Sequence, residues 1–497
     1  MFTKKLRIFG FLLLLCMLVS VFAACADKNG SKTDTSASDN TNAEDTNDLY
    51  DKDGYLKDSL PSNLNYNNKK VSILGWITSP SEFYVEETIG ENVSDAIYYR
   101  NLAVQERLGV ELDFTLIPGD NPNRANFVNH VNQAMMADEG TYDLIGSYSM
   151  CAPQLALQDL LLNLLDYKYI DFDKPWWPET LLSQAKIGDK LYFASGDISL
   201  HYIYQLHFIL FNHEILTQFQ LSDPRQHVLD GTWTLDKLFE YANTDGLYSD
   251  LNNNSQRDSE DRYGFVLQNA IWFDDFYIAS DMSLVEISEE SVMTLSPDFT
   301  SEKAGDLVTK LTDFFHGSPN AIYHKDLFPA LYNGRTLFFS LQGSTLASAD
   351  LDYNYGILPY PKYDVNQDEY YTCVGFAYTT FCIPNDAADP EMSAAIMECL
   401  ASESYRKTTV ALFDTNFKYR YAKDALDKEM FEIIKNYTYF DAGRIFSDSF
   451  LWASSPTGLF RNSIANNNPN WSSTADAAVS YIQSVLDSIS DKFVGRD

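Results

Sequence analysis

The sequence predicts an α/β fold, and three observations carry that prediction. Strand-like apolar runs alternate along the chain with segments whose apolar residues recur every three to four positions. Apolar residues make up 45 % of a 497-residue chain, which is ample to bury a large core. No internal repeat is visible, so a solenoid or propeller is not indicated.

The elements follow in order. Val71 to Ile77 (VSILGWI) reads as a buried strand. Ser94 can cap a helix that runs to Leu108, where Gly109 stops it. Val110, Leu112, Phe114 and Leu116 alternate as a strand, and Phe127, Val131, Ala134 and Met135 mark a helix face. Tyr142 to Ser147 is a short strand ending in small residues, and Leu191 to Ala194 and Leu206 to Phe211 are two more. Thr232-Trp233-Thr234 opens a helix through Leu235, Leu238 and Phe239. Thr336 to Leu341 and Val374 to Ile383 are late strands. Helices close the chain at Met392 to Leu400 and Ala478 to Ile489.

The N-terminus reads as a secretory signal. Lys4, Lys5 and Arg7 precede an apolar run, Ile8 to Ala24, that ends in small residues before Cys25. A short membrane anchor and ordinary cleavage near Ala24 are the alternatives. Phe22-Ala23-Ala24-Cys25 resembles the bacterial lipobox, with Phe22 where Leu is usual; the resemblance implies acylation of Cys25 and removal of residues 1–24. Residues 25–68 are then expected to form a lipidated, disordered tether, because Ala26 to Asp48 is polar and low in complexity. The protein would lie outside the cytoplasm, anchored to the cell membrane. Cys151, Cys373, Cys382 and Cys399 form no CxxC pair, which leaves a Cys373–Cys382 bridge or buried free thiols.

Charge narrows the partners. With 36 Lys+Arg against 70 Asp+Glu, the net charge is −34, which excludes a phosphate-binding surface of the nucleic-acid type. Residues 26–68 hold nine of the acids and four lysines, so most of the excess belongs to the folded body. Enzyme motifs are missing. His213-Glu214 begins HExxH, but Thr217 stands where the second His must be, and there is no GxSxG, GxGxxG or P-loop. The adjacent pairs Asp274-Asp275 and Glu289-Glu290 do not face across a cleft as a glycosidase pair must. They are expected on the solvated surface or, for Asp274, against a ligand.

The blocks Lys70-Val71-Ser72-Ile73 with Trp76, Arg100 to Val110, Tyr142-Asp143-Leu144-Ile145, Lys174-Pro175-Trp176-Trp177, Gly188 to Phe193, Thr232 to Leu238, Asn333-Gly334-Arg335 and Gly356 to Pro361 follow one another over more than 400 residues. In order and spacing they resemble the bacterial extracellular solute-binding proteins of the sugar-binding type, which serve ABC importers. The resemblance implies a two-lobed, periplasmic-binding-protein-like fold with discontinuous lobes joined by hinge crossovers. Lobe one would hold 69–194 plus 334–382, and lobe two 198–333 plus 384–497. It implies a non-catalytic monomer that closes its lobes around a sugar or oligosaccharide and docks on permease subunits. A surface glycan-degrading enzyme, or a sensor or adhesion lipoprotein on the same fold, is the alternative.

In open α/β sheets ligands sit outside the carboxyl ends of strands. That rule selects Trp76, Ser147, Tyr148, Asp197, Ser199, Gln342, Ser344, Phe376 and Tyr378, with Trp272 and Asp274 from a loop-like stretch. Rings would cover the apolar faces of a sugar, and Asp, Gln and Ser would pair its hydroxyls. Any one ring is more often core than platform, and Trp176 and Trp177, between prolines, read as packing. None of the candidates is Lys or Arg, which points to a neutral ligand. One further loop has EF-hand spacing. Asp250, Asn252, Asn254, Asp258 and Asp261 place side-chain oxygens at positions 1, 3, 5, 9 and 12, and Gln256 can offer its carbonyl at position 7. Ser255 replaces the usual Gly at position 6 and Asp261 the usual Glu at 12. Structural Ca2+ is the expectation, against a solvated Asn/Asp-rich turn.

Overall fold

A computed structural model describes residues 49–137 and 140–495. The signal run, Cys25 and Ala26 to Asp48 lie outside the described residues. Among the described residues no helix is long and apolar enough to cross a membrane.

Among the described residues thirteen strands form two main sheets and two small ones. They are β1 (Lys69–Trp76), β2 (Val110–Ile117), β3 (Leu144–Tyr148), β4 (His207–Asn212), β5 (Tyr263–Leu267), β6 (Val285–Ile287), β7 (Met293–Leu295), β8 (Ala321–Tyr323), β9 (Thr336–Gln342), β10 (Tyr355–Leu358), β11 (Thr372–Cys373), β12 (Thr379–Cys382) and β13 (Thr438–Tyr439). The sheet of lobe one has the order β12-β3-β1-β2, and that of lobe two β10-β4-β9-β5-β8. In lobe one β1 runs parallel to β2 and β3, and β12 returns antiparallel. In lobe two β5 runs parallel to β8 and β9, and β4 pairs antiparallel with β9 and β10. Each sheet is parallel at heart, which is why its strands read as continuous apolar runs.

Twelve helices matter here: α1 (Asn92–Leu108), α2 (Arg124–Met136), α3 (Cys151–Leu157), α4 (Leu200–Tyr204), α5 (Leu235–Ala242), α6 (Phe273–Ala279), α7 (Glu302–Thr312), α8 (Gly343–Ser348), α9 (Pro390–Arg406), α10 (Ala425–Asn436), α11 (Pro456–Ala465) and α12 (Trp471–Val494). Glu91, rather than Ser94, caps α1 by accepting the Ser94 N–H. Gly109 ends it in the left-handed region at φ 59°, with its N–H on the Gln105 carbonyl. A side chain there would also run into Asn65. Thr234 caps α5, as the sequence predicts.

The lobe boundaries differ from expectation in three places. Segment 334–382 is divided: β9 and β10 belong to the sheet of lobe two, and of its strands only β12 joins lobe one. Second, α9 packs on α1 and so belongs to lobe one, not lobe two, whereas α10 packs on β10 in lobe two. The chain therefore crosses between lobes three times, around 195–206, 374–378 and 407–424. The first two crossovers pair with each other, Leu206 with Val374, and the Gly375 N–H donates to the Gln205 carbonyl at 2.8 Å. Third, residues 55–68 are not tether. Leu60 is buried, and buried Asp58 holds Arg107 at 2.6 Å and Arg406 at 3.4 Å. Leu56, Leu60 and Leu64 supply an apolar anchor that the surrounding polar residues hide.

Strands are shorter than expected around the crossovers. Leu191 to Ala194 contributes isolated bridges only, and Val374 to Ile383 contains one four-residue strand. Cys151, Cys373, Cys382 and Cys399 are free and buried, so the Cys373–Cys382 bridge is not made. Cys373 sits in β11, in a different sheet from Cys382 in β12. Trp176 and Trp177 are core, as expected.

Candidate functional site

A cavity of about 690 Å³ opens between the lobes. Lobe one contributes the loop after β1, with Ser79, Ser81 and Tyr84, and the first turns of α1, with Glu91 and Ser94. Lobe two contributes Ser344, Thr345 and Ser348 of α8. Tyr204 enters from the first crossover, and Asn416, Arg420 and Tyr421 from the third. Every wall thus follows from strand ends and crossovers, the positions where an α/β sheet leaves backbone and side chains uncommitted.

The lining is rich in hydroxyls and close to neutral. Tyr84 is 37 % exposed and lies flat on Phe114, with ring centroids 5.4 Å apart and planes 16° apart. Gln342, at the end of β9, donates from its amide to the Ser344 hydroxyl at 2.8 Å. The cavity contains one acid and one base. Burial would raise the Glu91 carboxyl, but the Ser94 N–H and hydroxyl, the Val93 N–H and the Arg420 charge hold it below the usual range. Burial pushes the Tyr204 and Tyr421 phenols up, so both stay neutral donors.

Of the residues selected from sequence, Ser344 lines this cavity and Gln342 supports it. Most of the others are fasteners. Trp76 is 3 % exposed, meets Tyr148 edge-on at 5.3 Å and donates its indole N–H to the Thr379 hydroxyl at 2.7 Å. That hydroxyl donates to buried Glu82, which also accepts the Ser199 hydroxyl at 3.0 Å and the His201 N–H at 3.1 Å. Ser147 faces Thr380 at 3.3 Å. These groups tie strand ends to the first crossover and present nothing to solvent. Asp197 is buried beside a separate cavity of about 310 Å³ that also touches Trp176, Tyr202 and Lys435. Burial raises its carboxyl, against Lys435 and the Thr409 hydroxyl at 2.8 Å.

The stretch from Trp272 is not a loop. It winds as a short 3-10 turn into α6. Trp272 is 3 % exposed and stacks on His207, with centroids 4.1 Å apart. Asp274 and Asp275 are both buried, contrary to the solvated reading. Asp274 accepts from Arg444 at 2.7 Å and from Arg461 Nε at 2.7 Å. Those guanidiniums lie over Phe376 and Trp452, at 4.5 and 4.9 Å. Phe376 and Tyr378 border a void of only about 20 Å³. Arginines therefore do stand at this lobe boundary, and Arg124 adds a two-pronged pair to Asp448 at 2.9 and 3.0 Å. The absence of Lys and Arg among the candidates reflected the choice of candidates, not the site.

Tyr84, Glu91, Tyr204, Arg420 and Tyr421 were not singled out from sequence. Tyr84 was within reach, since the rule that stopped at Trp76 extends through the loop that follows. Arg420 and Tyr421 end a twelve-residue π-helical segment, Val410–Tyr421, which has no periodic signature.

In the acidic loop, Asn253 and Ser255 take positive φ (57° and 59°), so Ser255 adopts the turn usually given to Gly. Asp250 accepts the Ser255 N–H at 2.8 Å, the Gln256 N–H bonds Asn254, and Asn254 donates to Asp258 at 2.7 Å. Asn252 donates to Asp258 at 3.4 Å. These bonds hold the Asp258 carboxyl below its usual range. Asp261 is fully buried, and its Oδ1 has no hydrogen-bond partner.

No family profile matches the chain, and no curated protein does. Solved structures do. The cyclic α-maltosyl-1,6-maltose binding protein from Arthrobacter globiformis superposes with a TM-score of 0.57 at 14 % identity, over 84 % of this chain and 99 % of that one. The ABC substrate-binding protein Lmo0181 from Listeria monocytogenes, in complex with cycloalternan, gives 0.53 at 12 %, over 86 % and 100 %. UgpB from Mycobacterium tuberculosis, in complex with glycerophosphocholine, gives 0.56 at 15 %, over 84 % and 98 %. The fold is that of the two-lobed substrate-binding proteins. At these identities the likeness is one of architecture alone.

Proposed function

We propose that this chain is the substrate-binding component of an ABC importer, a non-catalytic receptor that captures a hydroxyl-rich, neutral solute such as a sugar or oligosaccharide. The observation that carries the reading is the interlobe cavity of about 690 Å³, walled by serines, threonine and tyrosines with one acid, Glu91, and one base, Arg420. Its size lies in the usual range for small-molecule sites. The likeness to a substrate-binding protein solved with cycloalternan and to a cyclic α-maltosyl-1,6-maltose binding protein supports it. Lipidation at Cys25, an extracytoplasmic position, docking on permease subunits and a monomeric state belong to the same proposal.

Titration calorimetry against a glycan panel tests it. Tyr84→Ala is expected to weaken binding tenfold or more, about 1.4 kcal/mol, because Tyr84 presents a ring face from a solvated position. Arg420 favours one second reading, a polyol carrying a phosphodiester, so glycerophosphodiesters belong in the panel. Silence across neutral glycans with a response to those diesters, lost in Arg420→Ala, would replace the ligand class.

We also propose that the loop from Asp250 to Asp261 holds a structural Ca2+, taking Asp250, Asn252, Asn254, Asp258 and Asp261 with the Gln256 carbonyl. The unpartnered, buried Asp261 Oδ1 supports this. At 100 times its Kd, calcium is expected to stabilise the fold by about 2.7 kcal/mol. The melting temperature should rise with calcium against chelator, and Asp250→Ala should remove the rise. No shift at millimolar calcium would refute it.

A further inference from the structure

We infer that lobe two carries a transition-metal site, made by His207, Asp275 and Cys373 at the root of the hinge and of the class that zinc fills. It is distinct from the interlobe cavity and from the acidic loop. The three residues come from separate segments: the start of β4, the first turns of α6 and the end of β11. Topology alone brings them together, because the crossovers on which His207 and Cys373 border pair through Leu206 and Val374.

One ligand atom from each residue lies within 4.8 Å of the others, and all three residues are buried. Bonds of about 2.0–2.1 Å to nitrogen and oxygen and about 2.3 Å to sulfur place tetrahedral ligand atoms roughly 3.3–3.6 Å apart. The three atoms lie within 4.8 Å of one another, so side-chain rotations bring them to that spacing. His207 Nδ1 and Asp275 Oδ1 stand 2.8 Å apart, so a cation entering between them spreads them by about half an ångström. Trp272, stacked on the imidazole, fixes the plane of the ring.

Entry of the ion would replace one buried hydrogen bond, His207 Nδ1 to Asp275 Oδ1, with two metal–ligand bonds. Arg444 stands within charge range of Cys373 and Asp275, but its guanidinium is bonded to Asp274. Asp274 is taken by Arg444 and Arg461, so Asp275 remains the carboxylate facing His207. A divalent ion with one carboxylate, one thiolate and one neutral imidazole is a neutral site. Binding displaces the Cys373 thiol proton to solvent, forms the metal–sulfur bond and involves no change of oxidation state. A nitrogen–oxygen–sulfur set of three suits zinc and its neighbours; calcium, which takes six to eight oxygens, is excluded.

The test uses the full folded chain, first stripped with chelator, then equilibrated with Zn2+ or Co2+, and in a second arm refolded with the metal present. One zinc per chain after dialysis is expected by elemental analysis. The cobalt form should show a thiolate-to-cobalt charge-transfer band in the near ultraviolet. Cys373→Ser should abolish that band and weaken zinc binding by tenfold or more, and His207→Gln should weaken it comparably, with circular dichroism confirming that both variants fold. Cobalt bound without the band, or binding untouched by Cys373→Ser, would place the ion elsewhere, the acidic loop included, since that loop has no thiol. No retained metal in either arm would overturn the site outright.

Discussion

Asp274→Asn is expected to destabilise the folded chain by about 3–5 kcal/mol, although it changes almost no volume. Asp274 is 1 % exposed, and Arg444 and Arg461 both turn their guanidiniums onto it. Both arginines are themselves buried. Burial would push Arg444 down, but Cys373, Asp274 and Asp275 hold it above the ordinary value. Remove the Asp274 charge and two buried cations lose the carboxylate that both bond, leaving Arg444 the charges of Asp275 and Asp441 nearby. The damage should spread, because the same guanidiniums carry Phe376 and Trp452 at the lobe boundary. Urea denaturation measures it, with the exposed pair Lys70–Asp113 as the contrast. Breaking that exposed, solvent-screened pair should leave the denaturation midpoint almost unchanged. A loss of less than about 1 kcal/mol in Asp274→Asn would show that the buried network contributes only packing.

The architecture was legible because it rests on periodicity. The apolar runs of β1, β4 and β9, the α1 stripe and the Thr234 cap are all local signals, and local signals survive folding. The lobe assignment of 334–382 failed for a different reason. Nothing in the sequence of TLFFSLQ says which of two apolar sheets it will join, since β9 would bury equally well in either. Its partner is decided by β4 and β5, whose strand register lies more than 60 residues away.

The site was less legible because the residue types that bind ligands also fasten hinges. Trp76, Ser199 and Thr379 look from sequence like a sugar platform with hydroxyl partners. In the structure they saturate one another around Glu82. Asp274 resembles a ligand-pairing acid until two arginines, 170 and 187 residues further on, arrive at it. By contrast, the cavity draws its lining from a loop, two crossovers and the starts of two helices, and of its three tyrosines only Tyr84 is an exposed ring, a placement that no residue type announces. Ser344, selected because it follows the end of a strand, does stand in the lining of that cavity.

A buried carboxyl in lobe one makes stability fall as pH rises. Glu398 of α9 has no exposed surface, accepts the Trp177 indole N–H at 3.0 Å and the Asp171 N–H at 3.3 Å, and has no partner for Oε1. Burial raises its pKa from 4.5 to about 7, against those two donors. The folded chain therefore holds this proton more tightly than the unfolded chain between pH 4.5 and 7. In that window the unfolded state binds fewer protons, so unfolding becomes easier as pH increases. A shift of that size amounts to about 3 kcal/mol, present as an advantage below pH 4.5 and gone above pH 7. Other carboxyls bend the whole-protein curve: Asp441, raised to about 6, adds in the same direction, while the lowered Asp223 and Asp424 act oppositely in acid. The difference between Glu398→Gln and the parent isolates the one group. Glutamine keeps an acceptor for Trp177 and Asp171 and cannot ionise. Its stability relative to the parent should climb by about 3 kcal/mol from pH 4.5 to 7 and then level off, read from denaturation midpoints at each pH. A difference that stays flat across the window would mean that Glu398 ionises as readily inside the fold as outside it, by way of water that reaches Oε1.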